Sequence, residues 1–406
     1  MLSPALPESC DVLVVGAGPA GSACASKLAG AGLDVLLVDA QAFPRDKVCG
    51  DGLIPDAHAA LRGLGVYDEV MALARHVAHV RCVAPRGGAV SVPGTLAVLP
   101  RRQLDDLLCR AARRAGARFE APVRFEAPLL DGERVVGARL KAGGAAHEVR
   151  ARWVVLATGA VPQALINAGL CERRTPSGVA LRGYVKNAAM VGHIDQLELV
   201  WHPRLKGGYG WIFPAPDGVF NIGTGLTGSH VTGRDGRGSM QDVNLRRMFD
   251  AFCDVYAPAR ELMAGGTLVG ELKGAPLRCS LLGARWSRPG MLVTGEAAGS
   301  TYAFSGEGIG KAMETGILAA EALRQGLDDD AGVRAHYDTA LRALAPRFAL
   351  YEKAAHVNER PWLADLVIWR ARKSPRILRR MSGVLEETQN PGRLLSWRGI
   401  GKLMFE

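Results

Sequence analysis

Asp11-Val-Leu-Val-Val-Gly-Ala-Gly-Pro-Ala-Gly21 is the stretch that decides how this chain is read. Leu13, Val14 and Val15 form a continuous apolar run with β-branched residues, the pattern of a strand covered on both faces. Gly16 permits a tight turn, Gly18 lets backbone approach a pyrophosphate, and Gly21 allows close packing of the next helix on the strand. That helix carries small apolar residues (Ala20, Ala23, Cys24, Leu28). Its free N–H groups and positive dipole end face the phosphates. Gly30 and Gly32 stop it, and Val35-Leu-Leu-Val38 supplies a second buried strand. The strand ends at Asp39 and Ala40, where an acidic residue 18 positions past Gly21 accepts hydrogen bonds from a ribose. Strand, turn, helix, strand and acid fall in order, so the segment predicts a dinucleotide site.

A second glycine-bearing segment lies far downstream: Met291-Leu-Val-Thr-Gly-Glu-Ala-Ala-Gly299, then Ser305-Gly-Glu-Gly-Ile-Gly310 and a helical run. Two such segments at this separation predict FAD gripped at both ends, and hence an oxidoreductase. A further G-x-G-x-x-G match, Gly223–Gly228, follows a plausible strand but precedes a stretch rich in Gly, Arg and Asp with no helical pattern. Without a helix there is no dipole to hold a phosphate. It reads as a turn between elements and not as a separate nicotinamide site.

The 406 residues suffice for two joined domains, and 50 glycines with 48% hydrophobic content suit an α/β protein. The eight cysteines are scattered, with no C-x-x-C and no histidine at ligand spacing, which predicts no metal site and a reducing cytoplasm. No signal peptide is expected, and no apolar run reaches the ~18 residues of a spanning helix. The net charge of +10 gathers in Arg110–Arg118 and in Arg370, Arg372, Lys373, Arg376, Arg379 and Arg380. The latter group is interleaved with Trp362, Leu363, Ile368, Trp369, Ile377 and Leu378. A solvated helix face is the ordinary reading. The sharper one is peripheral contact with anionic lipid at the inner face of the membrane. Nucleic acid is not expected as a partner, because no nucleic-acid module accompanies the charge. The oligomeric state is not readable.

Along the chain, residues 10–80, 100–175 and 277–330 read as a discontinuous Rossmann-like FAD-binding domain. Residues 81–99 and 176–276 read as an inserted antiparallel-sheet substrate domain, and 331–406 as a C-terminal helical region. The fold class is α/β (α+β mixed).

Three stretches beyond the first turn resemble the FAD-dependent geranylgeranyl reductase family, within the p-hydroxybenzoate hydroxylase-fold flavoproteins. They are Phe43-Pro-Arg-Asp-Lys-Val-Cys-Gly-Asp-Gly-Leu53, Gly208-Tyr-Gly-Trp-Ile-Phe-Pro214, and Gly295–Gly299 with Gly306–Gly310. The likeness spans roughly residues 10–325. It implies that Cys49 and Gly50 lie in a loop over one face of the flavin ring. It implies that Gly295 and Glu296 meet the ribityl and pyrophosphate, and that Gly306, Gly308 and Ile309 begin a helix at the flavin's N1–C2=O edge, where a positive helix end stabilises reduction. Glu296 stands where the family usually has Asp; the longer carboxylate still reaches a ribose hydroxyl. Arg101 resembles the family's phosphate- or ribityl-binding arginine, with Arg102 the other candidate. Tyr209, Trp211 and Phe213 alternate on one strand face, either lining a substrate cavity, as the resemblance implies, or filling core. Cys49 and Tyr209 are the candidate catalytic side chains. Cys49 reads as packing unless its thiol is activated, and water is the alternative proton source to Tyr209. His202 and Glu198 read as surface residues.

The resemblance implies reduction of carbon–carbon double bonds in a polyprenyl or isoprenoid-lipid substrate, a hydrophobic small molecule. The electron donor is NAD(P)H or another external one, ferredoxin or quinol. Thr158 stands where aromatic hydroxylases of this fold carry an Asp that helps bind NADPH. A flavin-dependent monooxygenase or halogenase tailoring an aromatic or secondary metabolite is the alternative, since one fold hosts all three. A non-catalytic escort for a prenylated partner is opposed by the intact phosphate-binding glycines.

Overall fold

The computed structural model describes residues 6–205, 207–227 and 244–389. Its first sheet has a parallel core in the order Met291–Val293, Ala145–Leu156, Ser9–Val15, Val35–Val38, Arg118–Glu120. Alternation along these strands divides the core into two layers. Val12, Val14, Val35, Leu37, Trp153, Val155 and Leu292 face helices Pro19–Ala29 and Ile309–Arg324. Leu13, Val15, Leu36, Val38, Val154, Leu156, Met291 and Val293 face the other way, toward the Val123–Asp131 and Arg134–Ala142 hairpin. Both faces are therefore covered, which is why the strands read as unbroken apolar runs.

The second sheet runs Thr267–Leu277, Gly178–Lys186, Val219–Thr227, Gly208–Pro214, Leu197–Val200, Arg75–Val83, Ala89–Val98, Gly52–Leu53. All neighbours are antiparallel except Leu197–Val200 beside Arg75–Val83. Val80 pairs with Val92 and Cys82 with Val90, the alternation visible in the sequence. The expected boundary between residues 80 and 81 falls inside the Arg75–Val83 strand. Gly52–Leu53 also joins this sheet, so the loop before it is stretched between the two sheets.

Helices Leu245–Val255 and Ala257–Gly265 cover one part of the second sheet. The C-terminal helices Trp362–Ala371 and Pro375–Leu385 cover another, burying Leu363, Ile368 and Ile377 against Val77, Val80, Val90 and Val92. Those apolar side chains belong to the core, which corrects the picture of a lipid-facing apolar stripe; only Trp362 and Trp369 remain exposed there among large hydrophobics. Among the described residues, no helix is long and apolar enough to cross a membrane, and no cluster of ligating side chains could hold a metal ion.

The Gly223–Gly228 match also needs correction. Gly223 and Gly225 lie within the Val219–Thr227 strand, and Gly228 lies outside the described residues. A Cβ on Gly223 would sit 2.3 Å from the Trp211 ring. These glycines make room for an indole rather than a turn.

Candidate active site

Gly16 adopts φ +104° and a side chain there would also meet the Ala157 carbonyl oxygen at 2.3 Å, while a Cβ on Gly21 would meet the Gly16 oxygen at 1.8 Å. Strand, turn and helix are thus packed backbone on backbone. The Pro19–Ala29 helix starts at Gly18 with no side-chain cap, so its first N–H groups are free for an anion. In front of it stand two guanidiniums: the place of a Gly18 Cβ is 3.6 Å from Arg45 Nη2 and 3.8 Å from Arg101 Nη2.

These arginines belong to a chain of alternating charges. Asp39 accepts from Ala17 N (2.9 Å), Gln41 N (3.0 Å) and Arg45 (3.2 Å). Arg45 reaches on to Asp105 (2.9 Å), and fully buried Asp105 accepts from Arg101 at 2.6 and 2.9 Å. Burial opposes the charge on Arg101, but the Asp105 carboxylate and the neighbouring Cys49 sulfur outweigh it and raise its pKa. Arg101 is therefore the buried arginine at the turn, whereas Arg102 points to solvent. Asp39 is already engaged by Arg45, a residue the sequence offered only as part of a resemblance. Ala40 is exposed at the rim.

The downstream segment meets the first one directly. Gly295 opens a short turn at φ +66°, and a Cβ there would lie 2.6 Å from Ala20 Cβ. Glu296 faces Lys47 Nζ at 3.7 Å and accepts weakly from Thr301 Oγ1 (3.4 Å). The Ile309–Arg324 helix starts at Gly308, again without a side-chain cap, with Ile309 buried at its first position and Gly306 at φ +69° just before it. Two uncapped helix ends and a buried Thr158 hydroxyl without a partner beside the Gly16 turn are what an extended dinucleotide with two phosphates would satisfy. The residues present fit FAD.

Between these segments runs the Phe43–Leu53 loop, held by side chains from the second sheet. Arg182 donates to Asp46 Oδ1 and to the Lys47 carbonyl, both at 2.8 Å. Asp51 is fully buried at φ +65° and accepts from Tyr184 Oη (2.5 Å), Asn221 Nδ2 (2.7 Å) and Arg101 N (3.3 Å). Burial pushes its carboxyl up to about 6, against the pull of Arg182 and those donors. Asn221 also donates to the Cys49 carbonyl (2.7 Å) and accepts from Trp211 Nε1 (2.9 Å). None of Arg182, Tyr184 and Asn221 stood out in the sequence. Their partners in the Phe43–Leu53 loop lie more than a hundred residues away, and no local pattern marks such contacts.

Tyr209, Trp211 and Phe213 do share one face, with ring centroids 6.2 and 6.5 Å apart. Trp211 is nearly buried; Tyr209 and Phe213 are half-buried. The place of a Gly50 Cβ is 3.1 Å from Phe213, so the Cys49–Gly52 loop lies directly on this row. The Tyr209 hydroxyl donates to the Ser305 carbonyl, tying the row to the turn before the Ile309–Arg324 helix. Burial raises the pKa of this phenol. Glu198, expected at the surface, is buried and accepts from Tyr256 Oη at 2.8 Å, with burial raising its pKa. His202 is only partly covered and accepts from Arg204 N.

Comparison with known proteins agrees with this geometry. A family described as FAD binding domain matches residues 9–189. Menaquinone reductase of Mycobacterium tuberculosis (strain ATCC 25618 / H37Rv) is 35% identical over 336 residues, covering 78% of this chain and 77% of that protein. Digeranylgeranylglycerophospholipid reductase 1 of Methanopyrus kandleri is 31% identical, covering 79% and 82%. Among solved structures, a geranylgeranyl bacteriochlorophyll reductase-like protein of Thermoplasma acidophilum superposes with TM-score 0.72 at 22% identity, over 98% of this chain and 96% of that one. A flavin-dependent brominase superposes with TM-score 0.74 at 20% identity over 98% of both chains, a likeness of fold alone. With its phosphate turn, its second glycine segment and 35% identity across three quarters of a reductase, this chain belongs to the FAD-dependent geranylgeranyl reductase family and is an FAD-dependent oxidoreductase.

Proposed function

We propose that the enzyme reduces carbon–carbon double bonds in a polyprenyl or isoprenoid-lipid substrate. The observation that carries this reading is the row of Tyr209, Trp211 and Phe213 pressed against the Cys49–Gly52 loop, an apolar wall beside the residues that fit the flavin. An unactivated alkene offers no polar handle, so recognition rests on apolar walls and exact placement. FAD, once reduced by an external donor such as NAD(P)H, ferredoxin or quinol, supplies hydride. The relatives named for menaquinone and for digeranylgeranylglycerophospholipid support an oily substrate.

In this reading Gly16, Gly18, Ala20 and Gly21 hold the pyrophosphate, and Arg101 neutralises it. Asp39 and Ala40 border the adenosine ribose. Gly295 and Glu296 meet the ribityl chain, and Gly306, Gly308 and Ile309 present N–H groups to the pyrimidine edge. Cys49 and Gly50 cover the ring, with Arg101 at the thiol favouring a polar contact to the cofactor. The first sheet with its helices acts as the cofactor unit, the second as the substrate unit, and the helices after residue 331 brace both.

The exposed Trp362 and Trp369, with Lys373 Nζ 4.6 Å from the Trp369 ring centroid and further arginines along Pro375–Leu385, support peripheral contact with an anionic membrane face from the cytoplasm. The test of the main reading is anaerobic: reduce the holoenzyme chemically, add menaquinone or prenyl-lipid extract, and follow flavin absorbance and lipid mass. Reoxidation with gain of a hydrogen pair is expected. Reaction only in air, with oxygen inserted, would overturn it in favour of a monooxygenase. Trp211→Ala should slow lipid-dependent reoxidation while flavin content stays intact.

A further inference from the structure

Gly223 and Gly225, spelled like a phosphate turn, lie beside the aromatic row instead. We propose that Asn221, Gly223 and Gly225 seat the Trp211 indole sideways, leaving a notch between Tyr209 and Phe213 that takes the methyl-branched carbon of one prenyl unit. The notch thereby fixes which double bond of the chain meets the flavin. The inference rests on the alkene-reductase reading above and names a specificity determinant within it.

The sheet register sets the direction of the ring. Trp211 has Leu199 directly opposite on one neighbouring strand and Gly223 directly opposite on the other. Side chains opposed in an antiparallel pair stand only about 5 Å apart, so a large ring leans toward the neighbour that has none. The place of a Gly223 Cβ is 2.7 Å from Trp211 Cη2, and that of a Gly225 Cβ is 3.4 Å from Cζ3. The indole therefore crosses over the Val219–Thr227 strand instead of standing up between its neighbours in the row. Its N–H edge is hooked there, because Trp211 Nε1 donates to Asn221 Oδ1 at 2.9 Å. Asn221 Nδ2 donates to the Cys49 carbonyl and to Asp51 Oδ2, both at 2.7 Å, which leaves only the amide oxygen for the indole.

The row is consequently lowest at its middle member. Trp211 is 6% exposed, whereas Tyr209 and Phe213 on either side are half-buried. Both rims are fixed in place: Tyr209 donates to the Ser305 carbonyl, and Phe213 lies 3.1 Å from the place of a Gly50 Cβ in the loop that covers the ring. A polyprenyl chain repeats one branch methyl and one double bond per unit and carries no polar mark by which to tell its units apart. Seating one branch in a notch sets the register of every double bond relative to a fixed flavin. An apolar notch discriminates by volume, and one misplaced methylene costs about tenfold or more.

The test reads the position of the saturated bond. Reduced holoenzyme is mixed anaerobically with menaquinone, and fragmentation mass spectra of the product identify the prenyl unit that gained hydrogen. Wild type should saturate one unit in preference to the others. A Cβ at position 225 would meet Trp211, Ala180 and the Val179 carbonyl at 3.4, 3.5 and 3.7 Å, all ordinary contacts, so Gly225→Ala is accommodated. The further methyls of Gly225→Val push the indole up into the notch. The preference among units should change about tenfold or more in Gly225→Val and less in Gly225→Ala, with flavin content unchanged and tryptophan emission shifted. Trp211→Phe loses the Asn221 hook and deepens the notch, and it should spread saturation over several units; it decides the matter alone if the valine variant does not fold. An unaltered position in either variant, or wild type without any preference, overturns the notch while leaving the reductase reading standing. Wild type that saturates no unit of menaquinone or of any prenyl lipid overturns that reading as well.

Discussion

Two fully buried carboxylates, Asp105 and Asp51, meet the guanidinium and the backbone N–H of Arg101 respectively and are kept in different ways. Asp105 is held by the forks of Arg101 and Arg45. Asp51 is held chiefly by neutral donors, Tyr184 and Asn221, and its carboxyl consequently rises to about 6. At the phosphate end, paired charges leave guanidiniums standing before the helix start, ready for more negative charge. At the ring end neutral donors fix Asp51 itself, while Arg182 holds the same loop through Asp46 and the Lys47 carbonyl. A charged clamp suits an anion; a neutral one suits an oily substrate and a ring whose charge changes.

The contrast can be broken at either end. Arg101→Ala should have the largest effect, removing the bidentate partner of a buried carboxylate and costing about 3 kcal/mol in thermal unfolding. It should also produce protein with little bound flavin, read from the visible absorbance. Normal flavin content would show that the clamp serves the fold alone. Asn221→Ala comes next. It strands Trp211 Nε1, the Cys49 carbonyl and one donor to Asp51, for about 2 kcal/mol and a changed tryptophan emission.

How much of this was open to sequence reading follows the same division. The Gly16–Gly21 turn, its flanking strands and Asp39 were legible because adjacent residues dictate them. The downstream glycines were legible as a second contact, and the structure brings Gly295 onto Ala20. The choice of Arg101 over Arg102 needed only the helix phase that buries one and exposes the other. The ring-end network was hidden, since Asp51 meets Tyr184 and Asn221 across 133 and 170 residues. The Gly223–Gly228 match was rightly refused as a phosphate turn but misled as a bend, because a strand glycine that accommodates the Trp211 ring is spelled like a turn glycine. Glu198 misled because its burial depends on Tyr256 from a helix far along the chain.

A smaller effect sharpens the ring end. Tyr184→Phe removes one donor to Asp51 and costs about 1 kcal/mol. The sign of its pH dependence follows from the raised Asp51 carboxyl. Stability tied to this group is intact below its ordinary value of 3.8 and is lost as pH rises through about 6. Losing a donor that favours the carboxylate raises that upper value further. The Tm gap between wild type and variant should therefore widen from pH 4 to pH 7, and a gap constant with pH would show Asp51 to be neutral throughout. The smallest effect belongs to Trp369→Ala, which should change stability by less than about 0.5 kcal/mol while reducing sedimentation with anionic vesicles; unchanged sedimentation removes the membrane contact from the account.

The central strand order has an effect during synthesis. Met291–Val293 lies beside Ala145–Leu156, so the edge of that strand stays open while the ribosome adds everything between them, on the order of ten seconds of elongation. A nascent chain halted before residue 291 therefore exposes an apolar edge and has no partner for Ala20. Flavin capture is a late event in the life of each new molecule, and chaperones have a long window in which to act.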